Sequence, residues 1–262
     1  MDIYWLEQSA ADVPADDDWL SASELQRLEA MHVPKRRGDW RLGRWTAKRA
    51  LSLHLNLPAD RRALANIEIR AAASGAPEAF LANRRVEAAI SLSHCNSTAL
   101  CVIAPFGTAL GCDLELVESR SGAFVADYFT AEEQELIAQA PAADRPWLST
   151  LLWSAKESSL KALHEGLRLD TRSVVVRMPE EIATPRLHLE RSTANSKSAS
   201  GQHGSIWRPL EVHYNGGDVF RGWWQGTEGL LRTIVAAPAP SSPIVLKTAC
   251  GDLHRRYSRL AQ

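Results

Sequence analysis

At 262 residues, the chain is long enough to bury a substantial hydrophobic core, as one large domain or two small ones. Its composition of 45% hydrophobic and 23% charged residues is that of an ordinary soluble globular protein and excludes a disordered chain. Because 30 basic residues face 31 acidic ones, the formal net charge of -1 excludes a generic nucleic-acid binder, and any anion site must be local.

Two features of the sequence bear on the expected cellular location, and the cysteines bear on metal binding. The N-terminus lacks a basic region followed by an apolar run, so we expect no signal peptide. No apolar run approaches the roughly 18 residues of a membrane span, and we expect a cytoplasmic protein without membrane contact. The four cysteines show no zinc-ligand spacing, which favours buried reduced thiols over a metal site; they are Cys95, Cys101, Cys112 and Cys250.

The chain begins with a predicted strand over residues 3–6 and an acidic loop. Ser21 or Ser23, with Glu24 in the first turn, predicts a helix start. Pro34 interrupts that helix, and a second helix is expected from residue 35 to about residue 55. The second of these two predicted helices is rich in basic residues.

That second helix carries a basic stripe. Arg37, Arg41, Arg44 and Lys48 are spaced i, i+4, i+7 and i+11, so they share one face. A solvated basic face is the simpler interpretation. A site for a phosphate-rich ligand is the alternative, because Arg and Lys form charge-assisted hydrogen bonds with phosphate oxygens.

Four short strands follow. Residues 67–69 predict one strand before a turn at 73–77, and residues 89–94 pair with residues 99–104 through a turn at 95–98. His94 ends one of these strands; a lone histidine is more often structural, although its place beside Ser93 favours a cleft. Residues 109–115 predict the next strand. On it Asp113 and Glu115 are two residues apart and point to the same side.

The second half alternates helices with antiparallel strands. We predict helices at 124–128 and 130–140, the latter with a capping box of Thr130 and Glu133, and a third helix through Trp153 after a loop containing Pro141 and Pro146. Strands are predicted at 174–176, 187–189, 210–214, 219–225 and 230–236, with a surface loop at 191–205. Residues 238–243 should end the fold, leaving a tail with a peripheral helix or none. Without regular βαβ alternation, the fold class is α+β.

One helix face of the second half is chemically suggestive. Trp153, Glu157 and Lys161 are spaced i, i+4 and i+8 and share a face. Together with Asp113 and Glu115, Glu157 could surround one hard divalent cation. The competing interpretation is two surface acids on an exposed strand, an ordinary Glu–Lys helix pair and a core tryptophan.

The order of these motifs resembles one family. The chain is similar to the 4′-phosphopantetheinyl transferases of the larger, monomeric class, related to those that serve siderophore, surfactin-type and polyketide assembly lines. The matching motifs, in order, are Trp40-Arg41-Leu42-Gly43-Arg44 with Ala47-Lys48, Ser91-Leu92-Ser93-His94, Gly111-Cys112-Asp113-Leu114-Glu115, Trp153-Ser154-Ala155-Lys156-Glu157 with Lys161-Ala162, Gly166-Leu167 and Gly222-Trp223-Trp224.

The resemblance implies a fold and a reaction. It implies two similar α+β subdomains related by a pseudo-two-fold axis, at residues 1–110 and 111–237, with antiparallel sheets, a coenzyme A cleft between them and a tail at 238–262. Such enzymes move the phosphopantetheine arm of coenzyme A to a serine of an apo acyl or peptidyl carrier protein and release adenosine 3′,5′-bisphosphate. By this resemblance Asp113, Glu115 and Glu157 bind Mg²⁺, Glu157 is a candidate general base, and Lys161 stabilises the pyrophosphate.

The resemblance also assigns the coenzyme A contacts. Arg36, Arg37, Arg41 and Arg44 are expected on the adenosine side, Ser93 and His94 at the 3′-phosphate, and Lys161 at the pyrophosphate. Relatives often carry a Gly-Lys-Pro triplet, whereas residues 75–77 here are Gly-Ala-Pro, and Arg84 or Arg85 could take the place of that lysine. We expect a monomer, with the carrier protein docking near the basic helix or residues 124–129.

Two other classes of function stay open on the sequence alone. A metal-dependent phosphohydrolase of a small pyrophosphate could use the same three acids, but it would need a water-positioning residue and no carrier protein. A non-catalytic module that binds coenzyme A or a carrier protein could retain the fold, although it would have no need of all three carboxylates and Lys161.

Overall fold

The computed structural model describes residues 1–58, 60–177, 206–227 and 229–247. The first part of the chain contains three helices and six strands. They are β1 (Tyr4–Ser9), α1 (Ala22–Glu29), α2 (Pro34–His54), α3 (Arg61–Ala65), β2 (Ile67–Ala71), β3 (Pro77–Leu81), β4 (Arg84–Arg85), β5 (Ala88–Cys95) and β6 (Thr98–Pro105).

The second part contains three further helices and six further strands among the described residues. They are β7 (Ala109–Leu116), α4 (Gly122–Tyr128), α5 (Ala131–Gln139), α6 (Arg145–Ala162), β8 (Val174–Arg177), β9 (Arg208–Tyr214), β10 (Val219–Thr227), β11 (Leu230–Ala237) and β12 (Ile244–Val245). In the ranges that the structure covers, no helix combines the length and apolar character that crossing a membrane requires.

The strands form three sheets. One has the order β12-β1-β6-β5, the second the order β7-β11-β10-β9-β8, and a small third sheet the order β2-β3-β4. All described pairings are antiparallel except that of β1 with β12, which is parallel. Helices mixed with antiparallel sheets confirm the predicted α+β class.

Apolar packing arranges the two larger sheets and their helices in layers. Helix α2 packs on the first sheet through Ala47 and Leu51, which join a cluster with Cys101 and Ile103 of β6. Helix α6 packs in the same way on the second sheet. The opposite faces of the two sheets meet in a third cluster that includes Leu100 and Val102 of β6 and Leu110, Cys112 and Ile234 of the second sheet. Edge strand β5 consequently comes to lie beside edge strand β7.

Two predictions of secondary structure were wrong. Pro146 does not lie in a loop, because α6 begins at Arg145 and proline is tolerated in the first helical turn. The fold does not end before residue 244, because β12 pairs with β1 and its leading residue Ile244 donates its backbone N–H to Ile3. The predicted strand at 187–189, the loop at 191–205, and the tail from 248, including Cys250, lie outside the described residues.

The described cysteines fit the prediction of reduced thiols. Cys95, Cys101 and Cys112 are all free, and the last two are fully buried. Burial raises the pKa of the Cys112 thiol to about 11. At neutral pH this thiol is protonated and behaves as a small apolar side chain.

A buried ion pair anchors α2 within the first half. Glu24 closes the capping box of α1 by accepting the backbone N–H of Ser21, and its other oxygen accepts the backbone N–H of Ile69. Lys48 of α2 lies 2.5 Å from Glu24, has no exposed side-chain surface, and donates to two backbone carbonyls. One carboxylate therefore ties α1, α2 and β2 together.

The second half contains the same set of contacts. Glu133 closes the capping box of α5 by accepting the N–H of Thr130, and it also accepts the N–H of Val176 on β8. Lys156 of α6 lies 2.8 Å from Glu133, is likewise without exposed surface, and donates to two backbone carbonyls. The long helix of each half is thus held by a buried lysine on the capping glutamate of a short helix.

Candidate active site

Strand β7 presents the first predicted acid at the junction of the two large sheets. Asp113 is almost fully buried, and its Oδ1 accepts hydrogen bonds from Lys161 Nζ at 2.7 Å and from Ser93 Oγ at 2.9 Å. Its Oδ2 is buried and has no hydrogen-bond partner among the described residues. A buried carboxylate oxygen without a donor is costly to maintain, and it is available to a ligand.

Helix α6 supplies Lys161, which joins the helix to β5 and β7. Besides Asp113, its ammonium group donates to the backbone carbonyl of Cys112 at 3.0 Å and to Ser93 Oγ at 3.1 Å. Three donors on a protonated lysine are therefore fully used at the strand junction. Lys161 and Asp113 come from the two motifs that the sequence analysis placed in one site, and the structure brings them into direct contact.

The close seating of α6 on β7 depends on Gly111. A Cβ atom at this position would lie 1.7 Å from the carbonyl oxygen of Ser158 on the helix. The helix is also fixed to β11, because the hydroxyls of Ser154 and Ser158 lie 2.8 and 2.7 Å from Thr233 Oγ1. Small residues on both surfaces thus set the distance across which Lys161 reaches Asp113.

Glu115 is held on both of its oxygens. Oε1 accepts from the indole Nε1 of Trp153 at 3.2 Å, and Oε2 lies 2.9 Å from a guanidinium nitrogen of Arg120. Arg120 is not among the site residues predicted from the sequence. Its position five residues after Glu115, in the segment that leaves β7, is the one sequence signal for this contact.

Glu157 differs from the other two acids because its carboxylate has no hydrogen bond or ion pair with any residue that the structure describes. Burial raises the pKa of Glu157, and the negative charges of Asp113 and Glu115 raise it further against the opposing effect of Lys161. Burial and then Asp113 likewise raise the pKa of Glu115, with Arg120 opposing. Asp113, Glu115 and Glu157 are therefore close enough for their negative charges to repel one another.

The charge of Lys161 is secured by the same acids. Burial alone would lower the pKa of Lys161, but Asp113 together with Cys112 and Glu157 outweighs that effect, and the net shift is upward. Lys161 therefore carries its positive charge throughout the neutral range. Asp113 and Lys161 thus form an ion pair between β7 and α6.

The donor set is compatible with a divalent cation but not arranged around one. No group of three His, Cys, Asp or Glu side chains in the part of the chain that the structure covers is positioned as it stands to hold a metal ion. The free Oδ2 of Asp113 and the unpartnered Glu157 are nonetheless oxygen donors of the kind that Mg²⁺ prefers. Glu115 could join them only by sharing or releasing its present partners.

The basic stripe of α2 faces acids of its own half. Arg41 pairs with Asp17 at 2.7 Å and also donates to two loop carbonyls. Arg37 donates to the carbonyl of Leu28, and Arg44 lies 3.7 Å from Glu24. Because Lys48 is fully buried, the stripe as a whole is not the solvated face that was the simpler interpretation.

Two other predicted coenzyme A contacts are exposed. The side chains of Arg36 and His94 have no hydrogen bond or ion pair with the described residues. Ser93, by contrast, is part of the Asp113–Lys161 contact. The structure therefore brings Ser93 together with Asp113 and Lys161, whereas the described contacts of the four arginines and of His94 do not reach that cluster.

A cavity of about 540 Å³ lies beside the end of α6, between the β2–β3 turn and the β6–β7 turn. Ala76, in the place of the expected lysine, lines this cavity together with Arg85 and Phe106. The guanidinium of Arg85 lies 5.1 Å from the Phe106 ring centre and 2.6 Å from Glu78. Of Arg84 and Arg85, the two predicted substitutes for the lysine of the triplet, Arg85 lines this cavity.

Comparison with known protein families matches part of the chain. Residues 109–208, less than half of the chain, match the family model of the 4′-phosphopantetheinyl transferase superfamily. No curated protein matches the chain. The matched range includes β7 and α6, and with them Asp113, Glu115, Glu157 and Lys161. This part of the chain therefore corresponds to a 4′-phosphopantetheinyl transferase superfamily domain.

Proposed function

We propose that the protein transfers the 4′-phosphopantetheine arm of coenzyme A to a serine of an acyl or peptidyl carrier protein and releases adenosine 3′,5′-bisphosphate. The superfamily match of residues 109–208 supports phosphopantetheinyl transfer in general. The observation that carries the proposal is the contact of Lys161 with Asp113, beside the unpartnered Glu157, inside that range.

The reaction requires a base and a cation at the same place. The serine oxygen forms a bond to the β-phosphorus of coenzyme A, the bond from that phosphorus to the bridging oxygen breaks, and the bridging oxygen leaves with the adenosine bisphosphate. Glu157 is the acid with no partner to hold its charge, so we assign it the proton of the serine hydroxyl, directly or through water. Lys161 stabilises the negative charge of the leaving phosphate, for which its ammonium group has to share the donors that Ser93, Cys112 and Asp113 now use.

We further propose that Asp113, Glu115 and Glu157 hold Mg²⁺, with Asp113 contributing its free Oδ2. When bound, the ion supplies Lewis-acid stabilisation of the phosphate oxygens. Its positive charge would also relieve the repulsion among the acids that raises the pKa of Glu157 and of Glu115.

The adenosine side of coenzyme A is assigned to a second set of residues. We propose Arg36, Arg37, Arg41 and Arg44 on the adenosine phosphates, and Ser93 with His94 at the 3′-phosphate. Exposed Arg36 and His94 need give up no described contact, whereas Arg41 would have to share its guanidinium with Asp17. Because Arg85 lines the cavity that contains Ala76, we propose it as the substitute for the missing lysine.

The proposal extends to the architecture and partners. We propose a monomer of the larger class, with two related subdomains at residues 1–110 and 111–237. The buried Lys48–Glu24 and Lys156–Glu133 pairs support this relation, because each joins the long helix of its half to a capping box and to a strand amide. The apo carrier protein would dock beside the cleft between the halves.

The direct test is mass spectrometry of apo carrier proteins after incubation with the protein, Mg²⁺ and coenzyme A. We expect the mass increment of one phosphopantetheine arm on the carrier and the release of adenosine 3′,5′-bisphosphate. Coenzyme A cleavage without a carrier protein would contradict the proposal and favour a phosphohydrolase. Coenzyme A binding with neither transfer nor cleavage would favour a non-catalytic module.

Glu157→Gln tests the assignment of the base. We expect a loss of transfer of about 100-fold or more, the usual contribution of a general base. The variant should bind coenzyme A and retain its fold by circular dichroism, since Glu157 has no described structural partner. Unchanged turnover in this variant would mean that the site is wrongly assigned. Arg221→Gln, on the exposed Arg221–Glu211 pair of β10, serves as a control that should transfer normally.

A further inference from the structure

Arg120 places a fixed positive charge against the acidic site. Its guanidinium lies 2.9 Å from Glu115, 3.1 Å from Glu118 and 5.0 Å above the ring centre of Phe124. The side chain is only 14% exposed. Its Nε is buried without a hydrogen-bond partner among the described residues, so the present arrangement leaves one donor of the guanidinium unused.

The three acids are not equally available to a cation. Asp113 keeps one oxygen free and Glu157 keeps both, whereas Glu115 has Trp153 on one oxygen and Arg120 on the other. Of its two partners, the arginine is the one that carries charge. Both hydrogen bonds end on the carboxylate, but the ion pair with Arg120 adds the attraction of opposite charges, so Arg120 is the principal obstacle to a cation at Glu115.

From this geometry we propose that Arg120 competes with the divalent cation for Glu115 and thereby limits the metal affinity of the site. The proposal rests on the metal site of the proposed function. Arg120 can leave Glu115 without becoming unpaired, because Glu118 and the face of Phe124 already contact its guanidinium. In the metal-free arrangement the guanidinium contacts Glu115, Glu118 and Phe124, and in the metal-bound arrangement it keeps only the last two. The protein would exchange between these two arrangements.

A positioning role for Arg120 predicts a change in metal affinity of the opposite sign. If Arg120 only orients Glu115 for the metal, as outer partners of metal ligands often do, its removal would weaken binding. If Arg120 competes for Glu115, its removal strengthens binding, because the acid no longer has to give up a charged partner. The sign of the change in metal affinity therefore separates competition from positioning.

The experiment titrates Mn²⁺, which shares the preference of Mg²⁺ for carboxylate and water ligands, into the full-length metal-free protein. Free Mn²⁺ is measured by electron paramagnetic resonance, without coenzyme A or carrier protein. We expect Arg120→Gln to bind Mn²⁺ about tenfold more tightly than the unmodified protein, the scale of one hydrogen bond to a charged group. Arg221→Gln removes an arginine from an exposed ion pair on β10 and should leave the affinity unchanged.

Arg120→Lys is a second variant that keeps the proposal testable if Arg120→Gln does not fold. Lysine keeps the charge but not the forked donors, so its Mn²⁺ affinity should lie between those of the unmodified protein and Arg120→Gln. Equal or weaker Mn²⁺ binding by both Arg120 variants, with circular dichroism unchanged, would overturn the proposal. So would an unmodified protein that transfers the arm but binds no Mn²⁺. Tighter binding in a protein that shows no transfer would contradict the proposed function alone.

Discussion

At the scale of one residue, Glu157 is the acid of the candidate site that its surroundings support least. It lies among Asp113, Glu115 and Lys161, yet no described group donates a hydrogen bond to it. A carboxylate in such surroundings is costly when ionised, which is why its pKa is raised. Functional sites often retain groups that the fold alone would not favour.

We therefore predict that Glu157→Gln stabilises the metal-free protein at pH 8. A carboxyl group whose pKa is raised in the folded state contributes its stability below the unfolded pKa and loses that contribution as the pH rises through the folded pKa. Glutamine carries no charge, so it avoids the cost that the ionised acid has at pH 8. A gain on the order of 1 kcal/mol would raise Tm by about 2–4 °C.

Thermal unfolding in a metal chelator from pH 4 to pH 8 checks this prediction. The difference in Tm between the variant and the unmodified protein should be largest at pH 8 and should shrink towards pH 4, near the ordinary pKa of glutamate. Addition of Mg²⁺ should then stabilise the unmodified protein more than the variant. A variant that melts earlier at pH 8 would show that Glu157 has a structural partner after all.

At the scale of elements, local patterns predicted most of the secondary structure. The predicted helix caps are present, with Ser21 as the cap of α1 and Thr130 with Glu133 as the capping box of α5, because a cap depends on residues within one turn. Strand β12 was missed because its two residues form a strand only through pairing with distant β1. Local sequence cannot show such a partner.

Most of the candidate site could also be predicted from the sequence. The sequence named the three acids and Lys161 because their spacing on β7 and α6 fixes which face they share. It could not show that Arg120 would approach Glu115, since that contact depends on the path of the chain after β7. It also could not show that Lys48 and Arg41 of the basic stripe would be used by acids of the fold.

Gly111 gives the prediction that belongs to the packing of α6 on β7. In Gly111→Ala, the new Cβ would meet the carbonyl oxygen of Ser158, and the helix cannot retreat without breaking the hydroxyl contacts of Ser154 and Ser158 with Thr233. We expect a loss of about 3 kcal/mol in the free energy of unfolding, the upper range for overpacking. Urea denaturation measures it.

Gly38→Ala is the matched control for this substitution. Gly38 lies in α2, and a Cβ there would have no atom within 4 Å. Alanine at an open helical position should stabilise the protein by about 0.5–1 kcal/mol. If both alanine variants changed stability by the same amount, the close approach of α6 to Gly111 would have no energetic consequence.

At the scale of the whole molecule, charged contacts tie distant parts of the chain together. Arg232 of β11 forms a paired contact with Glu7 of β1, and so links the two large sheets near β7. Lys48 and Lys156 act within their own halves, each fully buried on a glutamate. The site lies between β5 of the first half and β7 of the second half. The relative placement of these two strands therefore depends on the packing of both halves.

The two buried lysines should consequently behave alike when they are removed. Lys156→Met leaves Glu133 buried without its charged partner, and Lys48→Met does the same to Glu24; breaking such a pair costs about 3–5 kcal/mol. We expect losses of that size in the free energy of unfolding of both variants, measured by urea denaturation.

Adding Glu133→Gln to Lys156→Met removes the unpaired charge but keeps an oxygen that can accept the N–H of Val176. The double variant should therefore be destabilised by less than the sum of the two single changes. Strict additivity, or a large loss in only one of the two lysine variants, would mean that the two pairs do not hold their helices in the same way.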